Sequence, residues 1–293
     1  MDEVSMMPMA EAHIAPPILD LESTPEQRWV ARQDRRRFFR ERGMRGFDPS
    51  EFQVQPIRKE EGKAFVMLHH YSGSYPATRA QVGLFRAGHL VGVAAFSVPM
   101  TEGFFEKWLP GVPAADLGRF VLLDEVPWGT ETWFLGQTFA MLPKLLPAVQ
   151  AITATSDPVP RTTAAGEKVT PGHVGTIYQA HNGVWVGRTT PRMHYLDPLG
   201  RVLSPRNLQK ARGRDQGWRY ATEALVTSGA PIPHAGENPQ DWVRRALQDG
   251  PFRRLKHAGN HVYIWPVHLK MRKRLSIALP NPSVYPKQPD EVV

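Results

Sequence analysis

The sequence predicts an α+β fold in which a twisted, mostly antiparallel sheet is flanked by helices. Three observations lead there. QVGLFRAGHLVGVAAFSVP (81–99) reads as a hairpin, with 82–85 and 90–97 as apolar strands around a turn centred on Ala-Gly. LGRFVLL (117–123) is a further apolar strand, and the segment 132–146 after it spaces Phe134, Leu135, Thr138, Phe139, Met141 and Leu142 as one helical face. AITATSD (151–157), VWVGRT (184–189) and HVYIWPV (261–267) then add short strands, with a brief helix around Gly175–His181 between the first two.

Taken in order, residues 1–24 are rich in Pro, Met and acidic groups without a period, the composition of a flexible arm. Residues 25–43 predict a basic helix, with Pro25 in its first turn and Gly43 as its C-terminal cap. Trp29, Val30, Phe38 and Phe39 give it an apolar side, and Arg35, Arg36 and Arg37 belong to its cationic remainder. That coat is either the solvated face of a docking helix or a phosphate-contacting arm. Phe65–Leu68 is a short apolar run in the strand-rich block, and HHYSGSYPATRA (69–80) follows as a loop. Pro143 and Pro147 end or kink the helix 132–146. The region 190–258 is more polar and more basic, with helices near 205–213, 218–227 and 240–248. It reads as an insertion or subdomain between a core at 25–189 and a C-terminal strand and basic tail at 259–293.

Hydrophobic residues make up 41% of the 293, enough for a sizeable core. Cysteine is absent, which excludes disulfides, thiolate metal sites and a cysteine nucleophile and allows a reducing compartment. The N-terminus lacks a basic start followed by an apolar run, and no apolar stretch is long enough to span a bilayer, so neither a signal peptide nor a membrane helix is expected. The formal net charge of +8 favours polyanionic partners through long-range attraction and counterion release.

The common catalytic signatures are missing: no phosphate-binding G-x-x-x-x-G-K-[ST] loop, no G-x-S-x-G elbow, no H-E-x-x-H pair. What remains is a series of polar residues at the ends of apolar segments. His70, Tyr71 and Ser72 follow the 65–68 run. Arg119 interrupts an apolar strand, where a charge must be paired, with Asp124 or Glu125, or face a ligand. Thr130, Glu131 and Thr132 open a helix, as caps or as part of an anion- or carbonyl-binding turn. Asp157 closes a strand before Pro158, and Tyr178, Gln179 and Asn182 cluster in HVGTIYQAHN (173–182).

The order of these pieces resembles the Mom DNA-modification family, whose fold is related to the GNAT acyltransferases. HHYSGSYP (69–76), the hairpin 83–99, LGRFVLLDEVPWGTETWFLG (117–136), ATSDP (154–158), GHVGTIYQAHNGVWVGRT (172–189) and GNHVYIWPV (259–267) carry the resemblance. It implies a GNAT-like core and an acyltransferase-like modification of the exocyclic amine of adenine in double-stranded DNA. The product carries a carbamoylmethyl-type group and protects phage DNA from restriction in the bacterial cytoplasm. The resemblance matches Asp157, Tyr178 and Arg119 to family positions. Thr132 stands where relatives usually have serine and keeps the hydroxyl. His70 and Tyr71 match the family's His-Tyr pair, and Ser72 and Asn182 join them as substrate-contacting candidates.

An aromatic amine needs proton removal and oxyanion stabilisation to react, and Asp157 is the candidate base, with Tyr178 as a general acid or stacking platform. Arg119 would neutralise an acidic group on the donor. DEVPWGTE (124–131) has one glycine and three acids, a poor cradle for the pyrophosphate of coenzyme A, so the expected donor is an unidentified acyl- or glycyl-type compound. His70, Tyr71 and Asp157 are N/O donors that suit iron, or equally a hydrogen-bond network. Reaching a base in duplex DNA requires its extrusion, with Arg35, Arg36, Arg37, Arg206, Lys210, Arg212, Arg272 and Lys273 as expected phosphate contacts. A homodimer is compatible with the sequence, and Asp157→Asn is expected to leave the fold nearly intact. The other readings are a GNAT-like enzyme acylating a small amine or a protein, and a non-catalytic DNA-binding protein.

Overall fold

The structure is a computed structural model, and it describes residues 39–41, 46–99 and 103–290. The arm 1–24 and Arg35, Arg36 and Arg37 lie outside the described residues, and of the predicted basic helix only 39–41 are described, as helix. The described residues divide into two compact units, one formed by those within 39–70, 74–105 and 113–150 and the other by 71–73, 106–112 and 151–290.

The first unit carries β1 (Phe52–Pro56), α1 (Lys59–His69), β2 (Thr78–Arg86), β3 (His89–Ser97), the start of α2 (Phe104–Trp108), β4 (Ala114–Leu122) and α3 (Thr130–Leu145). Its strands pair antiparallel in the order β1-β2-β3-β4. The predicted hairpin is present: Arg86 pairs with His89, and Ala87 (φ 48°) and Gly88 (φ 80°) both take the left-handed backbone of a two-residue turn matched to strand twist. Its first strand begins at Thr78, inside the segment expected to be loop.

The apolar run at 65–68 belongs to a helix, not to the strand block. Glu61 accepts a hydrogen bond from the Arg58 N–H at 2.9 Å and caps the first turn. Gly62, Phe65 and Val66, spaced three and four apart, form the buried face, and Phe65 and Val66 pack with Ile57, Phe85, Leu90, Val93 and Ala95. His69 therefore ends a helix and His70 caps it, instead of opening a loop. In α3 the predicted face is buried except for the half-buried Met141, with Phe134, Leu135 and Leu142 fully inside. Pro143 lies within the helix, which continues to Leu145.

The second unit carries β5 (Ala151–Ser156), β6 (Arg161–Thr162), β7 (Lys168–Thr170), α4 (Thr176–Ala180), β8 (Val184–Arg188) and β9 (Arg192–Leu196). It continues through α5 (Pro205–Gly213), α6 (Trp218–Thr227), α7 (Pro239–Asp249), β10 (Arg253–His257), β11 (His261–Pro266) and α8 (Met271–Arg274). Strand β11 lies between β5 and β8, antiparallel to both, and every one of its residues is buried. Strands β9 and β10 form a separate antiparallel pair, as do β6 and β7. Helices α5, α6 and α7 enclose their own apolar centre of Leu208, Ala211, Ala221, Leu225, Trp242, Val243 and Ala246. Among the described residues no helix is long and apolar enough to cross a membrane.

Candidate functional site

In the first unit, Arg119 projects from β4 onto Ser74, which lies just ahead of β2. Its Nε donates to the Ser74 carbonyl at 2.9 Å and one terminal nitrogen donates to Ser74 Oγ at 2.7 Å. The planar guanidinium fork thus holds one residue by both backbone and side chain. At the head of α3 the cap is Gly129, in left-handed backbone, not Thr130. The buried Thr130 hydroxyl instead donates to the Pro127 carbonyl at 2.8 Å, and Glu131 accepts from the Gly129 N–H at 3.1 Å. Thr132 is half-buried, and its hydroxyl donates to the Gly129 carbonyl at 3.1 Å.

In the second unit, Asp157 is the hub of a buried polar network. It leaves the end of β5, and Pro158 turns the chain so that the Val159 N–H points back at Oδ1, 3.0 Å away. His257, at the end of β10, brings Nε2 to 3.0 Å from the same oxygen. The Gly259 N–H donates to His257 Nδ1 at 3.0 Å, so Nδ1 must be the bare nitrogen and Nε2 the one that donates to Asp157. Oδ2 receives Arg161 at 2.9 Å; the arginine side chain is only 6% exposed, and its Nε is buried without a partner among the described residues. Burial alone would raise the Asp157 pKa, but the hydrogen bond from His257, the Arg161 charge and the Val159 N–H together hold it below the ordinary carboxylate value.

Around this hub stand three more ionisable groups. The Arg161 guanidinium lies over the Tyr71 ring, 5.7 Å from its centre. The Tyr71 hydroxyl is 3.4 Å from His173 Nε2. Burial lowers the His173 pKa against the opposing pull of Asp157, so its imidazole is neutral at neutral pH. His194, on β9, meets His257 edge-on with ring centres 5.1 Å apart. Burial, then the neighbouring His257 and arginines, push it down to about 4. The network therefore couples a fixed anion and a fixed cation to neutral imidazoles and a phenol.

Tyr178 stands in an aromatic cluster, with ring centres 5.6 Å from Tyr263 and 5.7 Å from Trp265. Burial pushes the Tyr263 hydroxyl up to about 12; it receives Gln179 at 2.9 Å and donates to the Val174 carbonyl. Gly175 (φ 74°) is required here, because a Cβ would lie 2.8 Å from both the Tyr178 and Tyr263 rings. Asn182 is exposed at φ 56°, in the turn that leaves α4, and Ser72 is half-buried.

Of the expected phosphate contacts that are described, Arg206, Arg212 and Lys273 are exposed, while Lys210 and Arg272 are half-buried. Among the described residues no group of three or more His, Asp or Glu is placed to hold a metal ion. The sequence reading did not single out Arg161, His257, His173 or His194. The four-residue spacing of Asp157 and Arg161 was a usable signal; the pairing of β9 with β10, which assembles the histidines, was not visible.

A model of the Mom protein family matches residues 51–287. The chain belongs to the Mom protein family. The match takes in Asp157, Arg161, Tyr178, His257 and Arg119, together with the helical region 205–249. Search of the curated proteins found no match. Solved structures similar to this Mom-family chain include a tandem GNAT protein from the clavulanic acid biosynthesis pathway. It is 10% identical at a TM-score of 0.39, covering 74% of this chain and 99% of that one. A ribosomal-protein-S5-alanine acetyltransferase from Vibrio fischeri is 13% identical at 0.33, covering 54% and 91%. A putative acetyltransferase from Pyrococcus horikoshii is 10% identical at 0.34, covering 75% and 91%. At these TM-scores the likenesses are distant, and membership rests on the family match.

Proposed function

We propose that this Mom-family protein is an acyltransferase-like enzyme that modifies the exocyclic amine of adenine in duplex DNA, giving a carbamoylmethyl-type product that shields phage DNA from restriction. The observation that carries the reading is the family match over 51–287, which spans the buried Asp157 network. The amine lone pair is delocalised into the ring, so its attack needs a proton acceptor and a preorganised polar surround. The Asp157 carboxylate already accepts from Val159, His257 and Arg161 and is held ionised. Its role in this proposal is to fix Arg161 and His257. The neutral His173, in contact with the Tyr71 hydroxyl, is the group with a lone pair to take the proton. Arg161 supplies positive charge for an acidic group or developing oxyanion of the donor. Arg119, Thr132, His70, Tyr178 and the donor itself, acyl- or glycyl-type, belong to the same proposal.

The test is restriction of plasmid DNA recovered from cells that make the protein. Sites containing adenine should resist cleavage, while sites of G·C pairs alone are cut normally. Complete cleavage of every adenine site by a full panel of endonucleases, with the protein present and folded, refutes the proposal.

A further inference from the structure

The α5–α6 segment presents five basic side chains, Arg206, Lys210, Arg212, Arg214 and Arg219, against two acids, Asp215 and Glu223, within residues 204–227. Three of the five fall at four-residue intervals, Arg206, Lys210 and Arg214, which aligns them along one side of α5 and its cap. None of the five is in an ion pair among the described residues. The neighbouring α7 differs: Arg244 is paired with Asp241 at 2.9 Å and Arg245 with Glu237 at 2.7 Å. The fold thus neutralises the arginines of α7 and leaves α5 and its cap cationic.

Two local features set the arginines in place. Arg214 caps α5 in left-handed backbone (φ 51°, ψ 35°), a position at which glycine is the unstrained choice. Its guanidinium and that of Arg219 lie 5.3 and 5.6 Å from the centre of the Trp218 ring. With two guanidinium groups over it, Trp218 is a rest for cations, not an open platform for a base. Tyr220, in the first turn of α6, is 70% exposed. The four-residue connection 214–217 and the apolar centre shared with α7 make this a folded helix–turn–helix-like element, not a loose basic segment.

We propose that the α5–turn–α6 face is a docking surface for the phosphate backbone of duplex DNA, holding the substrate through Arg206, Arg214 and Arg219 without reading bases. It rests on the duplex-DNA reading above and deepens it. Unneutralised charge on a rigid element fits a regular polyanion, whereas sequence-tolerant binding of single strands relies on stacking of successive bases on aromatic side chains; here Trp218 is covered, which leaves Tyr220 as the one exposed aromatic of α5 and α6.

The test is a salt titration of the full-length protein with a fluorescent duplex oligonucleotide, comparing wild type, R206A/R214A/R219A, R214G and, as control, R244A. Each phosphate contact adds about 0.9 to the slope of log affinity against log salt, so the triple variant should lose about 2.7 of slope. Between 50 and 200 mM salt the wild type should then weaken about 40-fold more than the variant. R214G should lose about 0.9 of slope while its melting temperature stays the same or rises, since glycine relieves the left-handed backbone. R244A should match wild type. A wild-type slope in the triple variant overturns the surface, and so does a lowered melting temperature with unchanged slope in R214G. Tighter binding to a single strand of the same length overturns the duplex assignment. Nucleoside content of DNA from expressing cells separates the two ideas: modification that persists with a wild-type slope in the triple variant sinks only the surface, and binding through this face without any modified base sinks only the enzyme reading.

Discussion

Replacing Asp157 by Asn removes the charge at the centre of the buried network while keeping its shape. The Arg161 side chain, 6% exposed, would keep its positive charge without its carboxylate, and its Nε is already unpartnered. Breaking a buried ion pair from one side costs about 3–5 kcal/mol, because the remaining charge stays buried. Against a typical stability of about 5–15 kcal/mol that is a large loss. The sequence alone suggested a nearly intact fold for this variant; the ion pair with Arg161 and the bond from His257 revise that. Urea unfolding followed by tryptophan fluorescence reads the cost at pH 7. The pH dependence supplies a second check. Asp157 titrates below its ordinary value in the folded protein, so its contribution is fully present above the ordinary carboxylate pKa and is lost as pH falls through the lowered folded value. The difference between wild type and Asp157→Asn should therefore shrink in strong acid. Removing the stranded cation as well, in Asp157→Asn/Arg161→Met, should recover much of the stability but none of the modification activity. A loss under about 1 kcal/mol for the single variant, a value typical of an exposed pair, would refute the buried-charge argument.

Other outcomes follow from the same geometry. His261 is 1% exposed, with the Trp185 N–H donated to its Nδ1 and Arg188 beside Nε2, and burial and Arg188 push it down to about 4. Stability from its neutral form is complete above its ordinary pKa and lost as pH falls from about 6.5 towards 4, so His261→Gln should flatten the acid limb of the stability profile by up to about 1.4 kcal/mol per pH unit; an unchanged limb contradicts this. Gly175→Ala combines left-handed strain with a Cβ 2.8 Å from two aromatic rings and should lower stability by about 2–4 kcal/mol in thermal unfolding. Arg119→Lys cannot reproduce the two-pronged hold on Ser74, and limited proteolysis should cut the chain around Ser74 faster than in wild type; equal cutting rates would remove Arg119 from the support of that segment.

The hairpin, the apolar α3 helix and the helices α5 and α7 were legible because each carries a local signal: an Ala-Gly turn, a helical stripe, a Ser or Asn cap before proline. Phe65–Leu68 misled for an equally local reason. Four apolar residues in a row fit strand or helix, and what decides is the Arg58–Glu61 cap and the burial of Gly62, several residues upstream. Asp157 was visible as a strand-ending acid. Of its partners only Arg161, four residues on in the short strand β6, had a local signal; His257 and His194 come from strands whose pairing has no marker in the sequence. The Asp157 network is non-local chemistry, assembled by register.

The most direct measurement is mass spectrometry of the nucleosides from DNA of cells making the wild-type protein, beside cells making Tyr71→Phe and His173→Gln. The wild type should yield deoxyadenosine bearing one carbamoylmethyl group, and both variants, folded and present at equal levels, should yield much less. Unmodified deoxyadenosine throughout the wild-type sample would contradict the assignment of adenine in DNA as the substrate, and undiminished modification in both variants would contradict the placement of the chemistry at Tyr71 and His173.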